Sequence, residues 1–257
     1  MSFDADLTAC AALVERADPD RFAAAMASPV EARAVLFPLY AFNIEVSRAP
    51  WVTQEPMIAE MRLQWWSDAV EEIGQGGPVR RHEVVTPLSR VLPAEVAPVL
   101  DQLIAARRWD IYKDAFEDEA HFEKYIQDTS GGLMWANACA LGADHHPEIE
   151  RLVRALGYAQ GLARYFQAVP ELEVQKRIPL VDGRADAIAA LAQSALDACP
   201  VRAAVKKGLS ATARAAATEA FLARALLKQV VANPQAVAQG ALQVSPVKRS
   251  FLLWQWA

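Results

Sequence analysis

Hydrophobic positions along the chain recur at helical spacing. In IAEMRLQWWSDAVEEI, residues 58–73, Met61, Trp65, Ala69 and Ile73 fall every fourth residue, flanked by Ile58, Trp66 and Val70. That period predicts an amphipathic helix, and the GQGGP breaker at 74–78 ends it. The Trp65–Trp66 pair predicts one core indole and one surface indole. Pro93 opens a second helix whose pattern continues through Val99, Leu103 and Trp109. In EDEAHFEKYIQDTSGGLMWANACALG the paired glycines Gly131 and Gly132 interrupt a helical pattern. Each costs about 1 kcal/mol relative to alanine inside a helix, so close approach of another helix or a ligand is expected there. A further helix is predicted from about Pro147 to Val169, ending at Pro170. An alanine-rich pair covers about 185–231, broken near Cys199–Pro200. Alternating β-branched runs are missing. The chain therefore reads as all-α, a single domain over residues 1–257, with no internal repeat, heptad seam or low-complexity linker.

Composition changes this picture little. Of 257 residues, 53% are hydrophobic and 22% charged, an ordinary globular balance. The net charge of −5 argues against a nucleic-acid partner, which usually needs a basic face. Three scattered cysteines, Cys10, Cys139 and Cys199, argue against a disulfide framework and for a reducing compartment. The start MSFDADL lacks the basic and apolar regions of a secretory leader, and no apolar run approaches the length of a membrane span. The expectation is a soluble, cytoplasmic protein.

The common catalytic motifs are missing: there is no G-x-S-x-G, no phosphate-binding loop and no G-x-G-x-x-G. His145 and His146 sit in a turn before Pro147, where adjacent side chains diverge, so a shared metal is not expected. Asp110 and Asp114 stand four apart and could grip a hard cation from one helix face. Their neighbourhood, WDIYKDAFEDEA, favours a solvated acidic surface instead.

Four segments, taken in order, resemble the squalene/phytoene synthase family of head-to-head prenyl transferases over roughly residues 15–185. They are RAVLFPLYAF, MRLQWWSDAVEEI, WDIYKDAFEDEAHFEKYIQDTSGGLM and ALGYAQGLARYFQAVPELEVQKRIPL. Asp110, Tyr125 and Gly131 fall where that family has an aspartate, a tyrosine and a glycine. The resemblance implies the isoprenoid synthase fold, in which two aspartate-rich motifs on facing helices hold magnesium against a diphosphate. Magnesium prefers carboxylate and phosphate oxygens. This chain departs from the family there. Ser47 and Trp51 take the places of the first aspartate pair, and Ala168 and Leu172 those of the second. Neither alanine nor leucine can ligate, an indole offers no lone pair, and a serine hydroxyl is a weak neutral ligand. Gly161 and Arg164 replace the family's Gln and Asn, and Ala115 and Phe116 its Arg-Tyr pair. The fold is expected to be kept and the magnesium site lost.

AFNIE, MRLQWW, AQG and the tail FLLWQW sharpen the resemblance toward one degenerate branch, the complex I assembly factor 6 proteins and their bacterial relatives. That branch implies a pseudoenzyme without a cofactor that supports assembly of respiratory complex I, with a complex I subunit or assembly intermediate as its partner. The contrasting reading is a prenyl transferase of altered site, for which magnesium would again be needed, or a carrier for a prenyl or lipid ligand. Tyr40, Phe42, Glu45, Ser47, Arg48, Gly131, Arg164, Phe166 and Ala168 are expected to line any retained pocket. Arg48 and Arg164 lie at or beside former metal positions. They either hold a phosphate without metal or pair with Glu45 or Glu171 and fill the vacated space. The tail KRSFLLWQWA places two cations before five large apolar side chains. It suits a peripheral contact with the inner membrane, or docking on the core or a partner.

Overall fold

A computed structural model describes residues 4–257. Among these residues there are helices and turns and no strand. The α-helices in chain order are α1 (Ala5–Ala17), α2 (Pro19–Ala27), α3 (Val30–Arg48), α4 (Pro56–Gly74), α5 (Val85–Leu88), α6 (Ala97–Tyr112), α7 (Glu119–Ile126), α8 (Gly132–Ala140), α9 (Pro147–Val174), α10 (Ala185–Ala198), α11 (Arg202–Gly208), α12 (Ala223–Ala232), α13 (Gln235–Ala238) and α14 (Pro246–Trp256). A short 3₁₀ turn, Ala94–Val96, leads into α6. A π-turn, Gln127–Gly131, joins α7 to α8, and a long 3₁₀ stretch, Ala213–Leu222, leads into α12.

Side-chain caps fix where several helices begin. The Asp4 carboxylate accepts from the Leu7 N–H, Asp18 from Arg21 and Asp118 from His121. Each satisfies a backbone donor that the first turn leaves open. In D-P-D, residues 18–20, Pro19 sits at the first helical position, where its missing N–H costs nothing.

The 28-residue helix α9 runs through the centre, against α8, α10, α12, the π-turn and the long 3₁₀ stretch. Pro170 does not end it: the helix continues to Val174, because proline's fixed φ suits a helix and the loss is one backbone hydrogen bond. Glycines set its distance from the π-turn. A Cβ on Gly157 would lie 2.9 Å from the Gly131 Cα, and one on Gly161 would lie 2.4 Å from the Ser130 Cβ. The mid-pattern glycines are thus explained by close backbone approach. Such π-turns recur at functional sites.

Helix α4 pairs with α6 through Ala59, Leu63, Trp66, Val70 and Ile73. This stripe differs from the expected one: Met61 is 66% exposed. The partner helix lies over the stripe that starts at Ala59, and Met61 is left facing outward. Trp66 is buried and Trp65 half-buried, with Arg80 5.0 Å from the Trp65 ring. The alanine-rich region also divides further than its composition suggests, into α10, α11, the 3₁₀ stretch and α12. The 3₁₀ stretch, ARAAATEAFL, is almost wholly buried, and its small side chains let α2, α8, α9 and α14 approach it. Buried apolar residues form one cluster from Leu7 to Leu242. All three cysteines are free and buried.

The tail forms α14, docked on α2 and the 3₁₀ stretch. Leu252, Leu253 and Trp256 lie against the core, and the Arg249 guanidinium is 2.6 Å from the Asp20 carboxylate. No single helix among the described residues is long and apolar enough to cross a membrane.

Candidate functional site

A cavity in two lobes opens where the ends of α3 and α6 meet the middle of α9. Ser47, Arg107, Tyr125, Tyr165 and Ala168 border both lobes. The first lobe, about 470 Å³, adds Trp51, Trp109, Asp110, Glu171, Leu172 and Arg177. The second, about 430 Å³, adds Asp18, Arg21, Arg48, Gln160 and Arg164. Volumes of this size suit a small-molecule site.

The two pairs of positions that depart from the aspartate pattern, Ser47 with Trp51 and Ala168 with Leu172, all face this cavity. They do not fit a magnesium ion. The Ser47 hydroxyl donates to the Ile44 carbonyl at 3.0 Å, and the other three carry no oxygen on the side chain. Among the described residues no three His, Cys, Asp or Glu side chains gather as metal ligands.

Arginines and aromatic rings occupy the space instead. Arg177 is buried and lies 4.5 Å from the centre of the Trp51 ring and 5.8 Å from that of Trp109. Its Nη2 donates to the Asp110 carbonyl, while Nε and Nη1 have no hydrogen-bond partner. An indole face attracts a guanidinium by cation–π interaction. Trp51, where the family has an aspartate, therefore holds a cation directly.

Asp110 is not on a solvated acidic surface, contrary to the expectation from its neighbours. It is buried, and the Tyr125 hydroxyl donates to its two carboxylate oxygens at 3.0 and 2.9 Å. Arg107 Nη1 donates to Tyr125 at 2.6 Å and to Asp110 at 3.2 Å. A buried carboxylate needs such partners. Burial works against the Arg107 charge, but Tyr125 and Asp110 outweigh it and hold the guanidinium firmly protonated. Burial pushes the Tyr125 phenol well above its ordinary value. Asp114 lies beyond the end of α6, after Lys113 turns left-handed at φ 61°, and it is exposed. The two aspartates share no helix face. Stacked below this group are Trp109 and Phe116, 3.9 Å apart, with Phe122, Tyr125 and Tyr165 edge-on around them.

The other expected site residues divide. Arg48 borders the second lobe and lies 3.7 Å from Glu45, the expected partner. Arg164 borders the same lobe, but it pairs with Asp18 at 3.2 Å and Asp20 at 2.5 Å, not with Glu45 or Glu171. The aspartates are the cap and the first turn of α2, 146 and 144 residues before Arg164, a pairing that sequence spacing alone could not show. Tyr40, Phe42 and Phe166 are fully buried core side chains, and Gly131 packs on α9; none of the four borders a lobe. Tyr40 lies one layer behind the wall, its ring 5.4 Å from the Arg21 guanidinium that borders the second lobe. Arg107 and Arg177, which no motif in the sequence singles out, also border the first lobe. Arg177 was visible only as the arginine of RIPL.

Comparison with known proteins agrees with this architecture. Residues 14–182 match the squalene/phytoene synthase family. A complex I assembly factor 6 homolog of Drosophila melanogaster is 30% identical over 168 residues, covering 63% of this chain and 50% of the relative. Human complex I assembly factor 6 is 24% identical over 163 residues, covering 63% and 48%. The chain thus spans about half the length of the curated relatives it matches. A dehydrosqualene synthase in complex with ligand superimposes with a TM-score of 0.77 at 16% identity, covering 98% of this chain and 95% of that one. Squalene synthase HpnC from Alicyclobacillus acidocaldarius gives 0.67 at 17%, covering 93% and 95%. With a match over most of its helical core and a shared fold along nearly its whole length, the chain belongs to the squalene/phytoene synthase family.

Proposed function

We propose that this chain is a pseudoenzyme that supports assembly of respiratory complex I, working in the cytoplasm and at the inner membrane. The observation that carries the reading is the cavity wall. Its four former metal-ligand positions hold Ser47, Trp51, Ala168 and Leu172, and Arg177 and Arg164 stand in the vacated space. Without carboxylates at these four positions, the two facing pairs that would gather magnesium against a diphosphate are missing. The similarity to proteins named complex I assembly factor 6 supports the assembly role. The partner is then a complex I subunit or assembly intermediate, and α14 supplies a peripheral membrane contact. The test is affinity capture from a strain carrying the tagged chain, with complex I activity measured after its deletion. Capture of complex I subunits together with reduced activity supports the role; intact activity and no capture reject it.

A second reading keeps the cavity for a prenyl or lipid ligand bound without metal. It is favoured by buried polar atoms with no partner along the wall: Nε and Nη1 of Arg177, Nε of Arg107 and Oε1 of Gln160. A buried group left unsatisfied costs about 1–3 kcal/mol, which a phosphate oxygen or hydroxyl would recover. Thermal unfolding with farnesyl diphosphate, with and without magnesium, decides it. A metal-independent rise lost in Arg177→Met supports this reading, and no rise rejects it. A magnesium-dependent rise with product formation would overturn the pseudoenzyme assignment itself.

A further inference from the structure

We propose that α11 and α14 together form a docking face for an anionic phospholipid surface. This deepens the peripheral-membrane part of the reading above and does not depend on the identity of the assembly client.

Charge is unevenly spread along the chain. Overall it has 26 lysines and arginines against 31 acids. In residues 199–257 there are eight lysines and arginines and one acid, Glu219. That acid is buried against Arg21 and contributes nothing to the surface. An acidic protein thus carries one strongly cationic end.

The fold brings part of that end beside the last turn of α14, a helix that also carries an exposed apolar stripe. Arg202, Lys206 and Arg214 gather with Trp256 and Ala257 around a shallow depression of about 260 Å³. Helix α14 turns Leu252, Leu253 and Trp256 inward and leaves its opposite side open. On that side Val247, Phe251 and Trp254 are 82%, 54% and 73% exposed. They stand four and three residues apart, one above another along the helix. Lys248 flanks the stripe and is exposed.

A helix that lays an apolar stripe with an aromatic ring outward, with cations at its flank, matches the chemistry of a membrane interface. The stripe is convex and has no groove, so it suits a fluid surface better than a shaped protein partner. Near an anionic leaflet each lysine or arginine contributes about 1 kcal/mol, roughly fivefold in binding. Three or four cations therefore convert a weak apolar contact into selective attachment, while the core side of α14 stays tied by Arg249 to Asp20.

The experiment is sedimentation of the full chain with vesicles of phosphatidylcholine alone and of equal parts phosphatidylcholine and phosphatidylglycerol. Binding is expected to be at least about tenfold stronger on the anionic vesicles and to weaken as salt is raised. Phe251→Ser with Trp254→Ser should abolish it, and Lys206→Glu with Arg214→Glu should reduce it to the level seen on phosphatidylcholine. Circular dichroism checks that the variants fold; Lys206, Phe251 and Trp254 are exposed and Arg214 is half-buried. No sedimentation, equal binding to both vesicles, or binding unchanged in both variants would overturn the proposal. Repeating the affinity capture with the same variants separates the two readings: capture without vesicle binding keeps the assembly role and assigns it to another surface.

Discussion

Arg21 and Glu219, 198 residues apart, form an ion pair in the interior, where Glu219 is fully buried and the guanidinium also lies 5.4 Å from the Tyr40 ring. Burial alone would weaken the Arg21 charge, but Glu219 and Asp18 outweigh it and hold it protonated. The pair clips α2 to the long 3₁₀ stretch. Removing one partner leaves a buried charge uncompensated, so Glu219→Ala is expected to cost about 3–5 kcal/mol in urea unfolding. Arg21→Met with Glu219→Leu should recover most of that. A double variant as unstable as the single one would mean that the pair's geometry, not its charge, secures the clip.

Gly161→Ala should be destabilising by about 1–3 kcal/mol, because the added methyl would overlap the Ser130 side chain. Ser130→Gly removes both of the closest atoms, Cβ and Oγ. In that background Gly161→Ala should cost much less, and a double-mutant cycle measures the coupling. Additive costs would show that α9 and the π-turn separate independently of this contact.

Cys10 and Cys139 give a pH dependence with a definite sign. Burial pushes both thiols up from 9.0 to about 12. The folded state therefore keeps these protons after the unfolded chain has released them. Their contribution to stability is full below about pH 9 and is lost as pH rises from 9 toward 12. Stability should fall over that window, and the fall should be shallower in Cys10→Ala with Cys139→Ala. In native protein at pH 8 neither thiol should react with a maleimide, and both should react once it is unfolded.

Magnesium should leave the unfolding temperature of the natural chain unchanged. With Ser47→Asp, Trp51→Asp, Ala168→Asp and Leu172→Asp, four carboxylates would converge on the first lobe. Magnesium should then raise the unfolding temperature of the variant. A flat response would show that these positions lie too far apart to share an ion.

Much of the fold was readable because its helices carry strong local signals. Pro56 and Pro147 at helix starts, the glycine run after α4 and the Asp18-Pro19 cap are all written locally. The misplaced face of α4 came from two overlapping stripes, between which only the position of α6 decides. The extent of α9 was missed because Pro170 sits where its one lost hydrogen bond is tolerated. At the site, the family resemblance points to Ser47, Trp51, Ala168 and Leu172, and the structure brings these four to one cavity wall. What replaced them was not legible, since Arg164 meets Asp18 and Asp20, and Arg177 meets Trp51, only through tertiary contact.

The clasp of Arg164 constrains change at the cavity wall. Asp18 caps α2 through the Arg21 N–H and at the same time pairs with Arg164, while Asp20 also pairs with Arg249 of α14. One guanidinium on the wall of the second lobe is therefore tied to a helix start and, through Asp20, to the tail. Any change that removed Arg164 to make room for a metal would leave Asp18 without this partner and Asp20 with Arg249 alone. Such a variant would lose stability before it gained a ligand. The clasp works as a ratchet: leaving the arginine-lined wall is uphill, because the same contacts that occupy the cavity also hold the fold together.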